Sequence, residues 1–191
     1  MINYDQIKPQ MATTSREAKA FFFDRDGVVN ERIVGGYVRS KEEFHLLPAI
    51  IPILRCVKQA GRLAILVTNQ QGVGKGLMTE SDLAEVHRFM QETLRAALGY
   101  AFDDIYAATE LDDGFSTRRK PSPAMLLEAR DKWSVSLERS WMLGDSLSDA
   151  EAGRAAGART ILVGDYAASE ADVVAPNLEA LAKRLPELLA F

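Results

Sequence analysis

Polar and apolar positions along the chain fall into two alternating patterns. Short unbroken apolar runs are separated by longer stretches in which apolar residues recur at every third or fourth position. Ala20–Phe23, Leu63–Val67, Ile105–Ala108, Trp141–Leu143 and Thr160–Val163 are runs of the first kind and predict buried strands, with Val173–Val174 as a short sixth. The helical stretches lie between them. Pro48 suits the first turn of a helix running to Ala60, where Gly61 supplies the stop. Thr79-Glu80-Ser81-Asp82 opens a second helix through Leu83, Val86, Met90, Leu94 and Leu98, closed by Gly99. Ser122 as a cap and Pro123 in the first turn start a third, which ends near Trp133. A short helix follows from about Ser148 to Ala156, stopped by Gly157, and a C-terminal helix is interrupted by Pro186. Strands alternating with helices predict an α/β fold, a doubly wound and mostly parallel sheet with helices on both faces.

Residues 1–18 are expected to form an N-terminal arm, and residues 19–191 a single domain. The connection over 27–47, with Gly35-Gly36-Tyr37 inside it, exceeds the usual length of an idle loop; it is expected to be functional or partly structured, with room for a small hairpin. There is no space for a large cap domain between Asp26 and Thr68 or between the third strand and Lys120.

Composition narrows the function classes. With 191 residues, 47% hydrophobic and 26% charged, the chain can bury a substantial core. A net charge of −4 argues against broad phosphate neutralisation along a nucleic acid, so an anionic ligand must meet a local cluster of cations, amides or metal. The single cysteine, Cys56, allows no internal disulfide and fits a reducing compartment. The longest apolar stretch, Leu46 to Leu54, is short and carries Pro48 and Pro52, and the first 18 residues lack a signal-peptide pattern. The expectation is a cytoplasmic protein without a membrane span.

In doubly wound sheets ligands bind beyond the carboxyl ends of the strands, and that is where the polar residues of this chain fall. Asp24 and Asp26 follow strand one, Thr68 and Asn69 follow strand two, and Asp145 follows strand four. Residues i and i+2 of an extended segment point the same way, so Asp24 and Asp26 can face one spot. Two such carboxylates repel unless a cation lies between them or one holds a proton; taken alone, the pair also fits a solvated turn. Three acids with few histidines nearby point to a hard cation with oxygen ligands, Mg²⁺ foremost. Asp24 can then act as a nucleophile toward phosphorus and Asp26 as acid and base. Thr68 and Asn69 offer donors to phosphoryl oxygens, and Lys120, flanked by Arg118 and Arg119, offers positive charge. Helix starts near Ser122 and Ser148 would add backbone amides.

Four separated motifs carry a resemblance: Asp24-Arg25-Asp26-Gly27, Val67-Thr68-Asn69, Lys120-Pro121, and Gly144-Asp145-Ser146-Leu147-Ser148-Asp149. In this order they resemble the haloacid-dehalogenase superfamily of aspartate-nucleophile phosphatases. Asn30, Gly36-Tyr37-Val38, Gln70, Gly72, Arg119, Pro123 and Met125-Leu126-Leu127 make the likeness strongest to its branch of histidinol-phosphate and heptose 1,7-bisphosphate phosphatases. The resemblance covers about residues 20–190. It implies that Asp24 is the nucleophile, Asp26 the general acid and base, and that Thr68 and Lys120 steady the phosphoryl group. It further implies that Mg²⁺ is held by Asp24, the backbone carbonyl of Asp26 and Asp145, and that Asp149 orients Lys120 or the metal shell. The implied substrate-facing set is Arg25, Gly36, Tyr37, Asn69, Gln70 and Arg119. Members of this branch commonly carry a zinc loop of Cys and His before the Arg-Lys-Pro motif. Here residues 109–118 hold neither, and His45 and His87 lie far off in sequence, so no zinc is expected.

Several rival readings are weaker. Gly72-Val73-Gly74-Lys75-Gly76 has neither nucleotide-binding glycine spacing and reads as a loop at the rim of the site. Asp112-Asp113 reads as a solvated turn. A phospho-receiver domain shares the chemistry, but the order Asp, Thr, Lys, Asp fits the hydrolase. An inactive binding module has no reason to keep all four motifs, and a nucleic-acid end phosphatase would want a basic stripe. The expected partner is a small phosphorylated metabolite. Arg119, Arg118 and Lys75 bring more positive charge to the rim than one phosphate needs, which ranks heptose 1,7-bisphosphate first and histidinol phosphate second. No nucleic-acid or membrane partner is expected, and the chain is expected to be a monomer or weak homo-oligomer.

Overall fold

The structure, a computed structural model, describes residues 17–112 and 117–190. The expected arm lies outside the described residues as far as residue 16, whereas Ala18 already forms a parallel bridge to Val135. Six strands, β1 (Ala20–Phe23), β2 (Leu63–Asn69), β3 (Asp104–Ala108), β4 (Trp141–Gly144), β5 (Arg159–Val163) and β6 (Val173–Ala175), form one sheet in the order β3-β2-β1-β4-β5-β6. All neighbouring strands pair in parallel. The helices are α1 (Ile50–Gln59), α2 (Glu80–Leu98), α3 (Ala124–Trp133), α4 (Leu147–Ala156) and α5 (Leu178–Leu189). Among the described residues no helix is long and apolar enough to cross a membrane.

The four residues of β1 are all fully buried, as a central parallel strand covered on both faces requires. Their side chains alternate between two cores. Phe21 and Phe23 pack with the buried faces of α1, α2 and α5; Ala20 and Phe22 pack with Met125, Leu126 and Ala129 of α3 and Ala152 of α4. The sheet is therefore sandwiched, with β1 at the point where the strand order reverses. The carboxyl ends of β1 and β4 lie side by side there, in register Phe23↔Leu143.

Local expectations were corrected at several ends. α1 begins at Ile50, with Pro48 ahead of it in a turn closed by Ile50 N–H to Leu47 O. β2 runs on through Thr68 and Asn69, because β3 offers Ala107 and Ala108 as ladder partners. Pro123 stands immediately before α3, and Ser122, one residue earlier, accepts from the Ala124 N–H at 3.3 Å through an Oγ that also donates to the Thr117 carbonyl. Ser146 caps α4 in a reciprocal box with Asp149, which starts that helix a turn-edge earlier than Ser148. α5 continues through Pro186, carried by its buried face of Leu178, Leu181, Leu185 and Leu189. The 27–47 connection forms no hairpin; it is tied by single bridges, Asp26–Asn30 and Asn30–Leu46.

Two glycines let the site close up. A Cβ on Gly27, whose φ is +89°, would lie 2.1 Å from Asp145 Oδ2, and one on Gly144 would lie 2.1 Å from Asp149 Oδ2. The carboxylates of Asp145 and of Asp149, in the first turn of α4, thus rest on bare backbone.

Candidate active site

A pocket of about 420 Å³ opens at the carboxyl ends of β1, β2 and β4, and its lining includes Asp24, Asp26, Asn69, Arg119, Lys120, Asp145 and Asp149. Asp24 leaves β1 with its N–H bonded to Leu143 O, and Asp145 leaves β4 beside it. Lys120 reaches in from the loop before α3. Its Nζ lies 2.7 Å from Asp24 Oδ1, 2.8 Å from Val67 O and 2.6 Å from Asp149 Oδ1. Asn69 clamps the Lys120 backbone from both sides: its Nδ2 donates to Lys120 O at 3.0 Å, and its Oδ1 accepts from Lys120 N at 2.9 Å. The Lys120–Pro121 peptide bond is cis.

The two acids of the first motif part company. Asp24, 9% exposed, faces Lys120. Burial pushes its carboxyl up to about 7; Lys120 opposes the rise, while Asp149 and Asp26 add to it. Asp26 is held by three side chains. Arg25 Nη2 donates to Oδ2 at 3.0 Å, Asn30 Nδ2 to Oδ1 at 2.9 Å and Gln70 Nε2 to Oδ2 at 2.8 Å. Burial alone would raise Asp26, but the Arg25 charge and these donors outweigh it and hold the carboxyl below its ordinary value. For Lys120 burial works against the charge, yet Asp149 and Asp24 keep its ammonium above the ordinary value.

Arg25 and Gln70, expected to face substrate, are instead fully buried beneath Asp26. Gln70 donates to Asp26 and to Thr68 Oγ1 at 2.8 Å each and accepts from Arg25 Nη2 at 3.0 Å, so its amide is fully engaged. Thr68 is also fully buried. Gly36 and Tyr37 do line the pocket; Tyr37 OH donates to Gln71 and accepts from Lys75. Arg119 lies on the rim in an ion pair with Asp112 at 3.4 Å.

Oxygens of Asp24, Asp145 and Asp149 all lie within 4.8 Å of one another. Three carboxylate oxygens, one from each strand end and one from the α4 start, are the donor set of a hard divalent cation, so the residues present fit Mg²⁺. The third side-chain carboxylate of the cluster is that of Asp149, while the side chain of Asp26 is turned to Arg25. Burial, the largest influence, raises Asp145, and nearby Asp149 adds to it while Arg32 opposes it.

Residues 117–188 match the family model described as HAD-hydrolase-like. A D-glycero-β-D-manno-heptose-1,7-bisphosphate 7-phosphatase of Helicobacter pylori is 38% identical over 143 residues, 75% of this chain and 79% of that protein. The chain belongs to the haloacid-dehalogenase hydrolase family. A further member, the D-glycero-D-manno-heptose-1,7-bisphosphate 7-phosphatase of Chlorobaculum tepidum, is 36% identical over 158 residues, covering 76% of this chain and 78% of that one. The crystal structure of a D,D-heptose 1,7-bisphosphate phosphatase from B. bronchiseptica, complexed with magnesium and phosphate, superposes with a TM-score of 0.79. It shares 30% identity over 89% of this chain and 99% of the other. The expected superfamily, branch and fold are those found.

Within this family frame, two residues near the site escaped the sequence. Arg32 lines the pocket and contacts Asp145, but it stands in an exposed loop between Asn30 and Gly36-Tyr37-Val38 and belongs to neither. His87 sits on the α2 face beside Val86 and Met90, 3.3 Å from Arg25 Nη1 through its Nε2. Its helical period was visible, and its neighbour across the fold was not. Arg25 is always a donor, so the ring accepts and is neutral. Burial, with the Arg25 charge beside it, pushes His87 down to about 3, only partly offset by Asp26.

The unfolded chain therefore takes up a proton at His87 near pH 6.5, and the folded protein refuses it until about pH 3. Stability from this residue is complete above pH 6.5 and is lost as pH falls toward 3. We expect the stability difference between wild type and His87→Gln, measured by urea unfolding, to shrink on acidification by at most about 1.4 kcal/mol per pH unit, the limit for one proton. A pH-independent difference would show that the ring is not held neutral.

Proposed function

We propose that this protein is a Mg²⁺-dependent phosphomonoester hydrolase whose substrate is a heptose 1,7-bisphosphate. The reading is carried by one observation, the buried Asp24–Lys120 pair set among the acids of Asp145 and Asp149 at the floor of an open pocket. The heptose-bisphosphate names of the relatives support the substrate. Asp24, Asp145 and Asp149, with the Asp26 carbonyl, would hold the Mg²⁺, which when bound keeps Asp24 ionised and withdraws charge from the phosphoryl oxygens.

Asp24 Oδ attacks phosphorus as the bond to the sugar oxygen breaks, leaving an aspartyl phosphate on Asp24. Asp26, which rests ionised, relays to the departing oxygen the proton carried in by the phosphomonoester monoanion. It then takes one from the water that cleaves the aspartyl phosphate, so inorganic phosphate leaves and Asp24 is restored. The donors around Asp26 favour its ionised, base-ready form. Lys120, already bonded to Asp24, faces the charge that builds on the transferring group. Asn69 works through Lys120, fixing its backbone rather than its charge. Thr68, buried and bonded to Gln70, ties the Asp26 cradle to β2.

Histidinol phosphate is the second-ranked substrate. The branch resemblance supports it, but its cationic end meets a rim already holding Arg32, Lys75 and Arg119. A sugar bisphosphate suits that charge better.

Asp24→Asn is expected to abolish phosphate release while retaining the fold, and chelation of Mg²⁺ to do the same in wild type; wild-type rates in either case would remove the covalent mechanism. Elemental analysis of tag-free protein is expected to give far less than one equivalent of zinc, since residues 109–118 hold no Cys or His; one tightly bound equivalent would contradict this. For substrate, kcat/KM is expected to favour heptose 1,7-bisphosphate over histidinol phosphate. Arg119→Ala is expected to lower the heptose value about tenfold or more, the scale of a lost charged hydrogen bond. A tenfold preference for histidinol phosphate, or no effect of Arg119→Ala, would reverse the ranking.

A further inference from the structure

Asp145 has a partner that nothing in the proposed chemistry uses. Arg32 stands in a stretch, residues 31–36, that is exposed throughout, yet its Nη1 lies 3.2 Å from Asp145 Oδ2. The loop and the end of β4 are 113 positions apart in the chain, so this contact is a product of the fold. The same Oδ2 lies over Gly27, where even a methyl group would collide with it. Asp145 is thereby presented to the pocket with one oxygen against bare backbone and a guanidinium.

The two inner cations of the site are fixed, and Arg32 is not. Arg25 is fully buried and divides its donors among Asp26, Gln70 and His87. Lys120 is 2% exposed, hydrogen-bonded to Asp24 and the Val67 carbonyl and ion-paired with Asp149. The Arg32 side chain is 57% exposed, and among the described residues its one hydrogen-bond partner is that single Asp145 oxygen. A monodentate, solvent-facing pair of this kind is weak and easily exchanged.

We propose that Arg32 is an exchangeable counter-ion that couples the cation to the phosphate: it neutralises Asp145 until a divalent cation takes that carboxylate, then turns to the oxygens of the bound phosphomonoester. The inference rests on the phosphohydrolase reading of the same pocket. Asp145 Oδ2 cannot serve both cations at close range without repulsion between them, so binding of one expels the other. The expelled guanidinium keeps its place on the pocket rim with its planar donors unpaired. That fork matches phosphoryl oxygens in a way an ammonium cannot. Cation and phosphate then favour each other's binding, and the coupling must be equal in both directions.

The test is Mg²⁺ binding to the full chain by calorimetry, with and without inorganic phosphate, in wild type, Arg32→Gln and Arg32→Lys. Without phosphate, Arg32→Gln is expected to bind Mg²⁺ about twofold to fivefold more tightly, the scale of an exposed ion pair removed from competition. The factor by which phosphate tightens Mg²⁺ is expected to fall in Arg32→Gln by a similar amount or more. Arg32→Lys, which keeps the charge, is expected to stay within about twofold of wild type for Mg²⁺ alone. Unchanged or weaker Mg²⁺ binding by Arg32→Gln, or an undiminished phosphate effect, would overturn the proposal. Tighter binding by Arg32→Lys equal to that of Arg32→Gln would overturn it too, by assigning the effect to shape rather than charge. Absence of any phosphate effect in wild type would instead remove the phosphohydrolase reading beneath it.

Discussion

The structure turns on one buried ammonium. Lys120 lies 2.7 Å from Asp24 and 2.6 Å from Asp149, with Asp145 close by. Carboxylates brought this near in a desolvated place repel strongly, and the ordinary response is to give up charge by protonation. Burial does push Asp24 in that direction. Lys120 holds the cluster together short of neutrality, and much nearby structure serves to keep it there. Asn69 brackets its backbone, the Val67 carbonyl takes its second side-chain hydrogen bond, and the Ser146–Asp149 box fixes its second acid. One positive charge against three acids leaves a deficit that suits a divalent cation.

A second layer, wholly apart from Lys120, governs Asp26. Arg25, Gln70, Asn30 and Thr68 form a polar network below the pocket floor, with His87 at its outer edge. Two acids of one short motif, a single residue apart, are thus assigned to opposite chemical settings. Asp24 sits where charge is costly, and Asp26 where it is favoured. Such a divergence separates a nucleophile from an acid–base partner on a single turn of chain.

The strands and most helices were legible because each announced itself by its own period and stops. Phe21–Phe23 could only be a buried strand, and Thr79 with Asp82 could only open a helix. The polar strand ends were legible for the same reason, since Asp24, Thr68 and Asp145 each follow an apolar run. What stayed hidden depends on partners distant in sequence. Arg25 and Gln70 look like exposed loop residues until the fold stacks them beneath Asp26. Thr68 and Asn69 look like loop residues until β3 supplies a ladder. Arg32 belongs to none of the motifs beside it, because its meaning comes from a carboxylate more than a hundred residues away.

The strand order carries a consequence for synthesis. β1 is flanked by β2, about forty residues on, and by β4, with Phe21 opposite Trp141. Asp24 is the hinge of the site, yet its backbone N–H is bonded to Leu143 and its side chain to Lys120. A ribosome must therefore deliver some three quarters of the chain before β1 gains its second neighbour and the Asp24 N–H its partner. Contacts so far apart close late and slowly. Through most of translation the central strand, a run of three phenylalanines, has one open edge. Until β4 emerges, that edge is open to pairing with another strand.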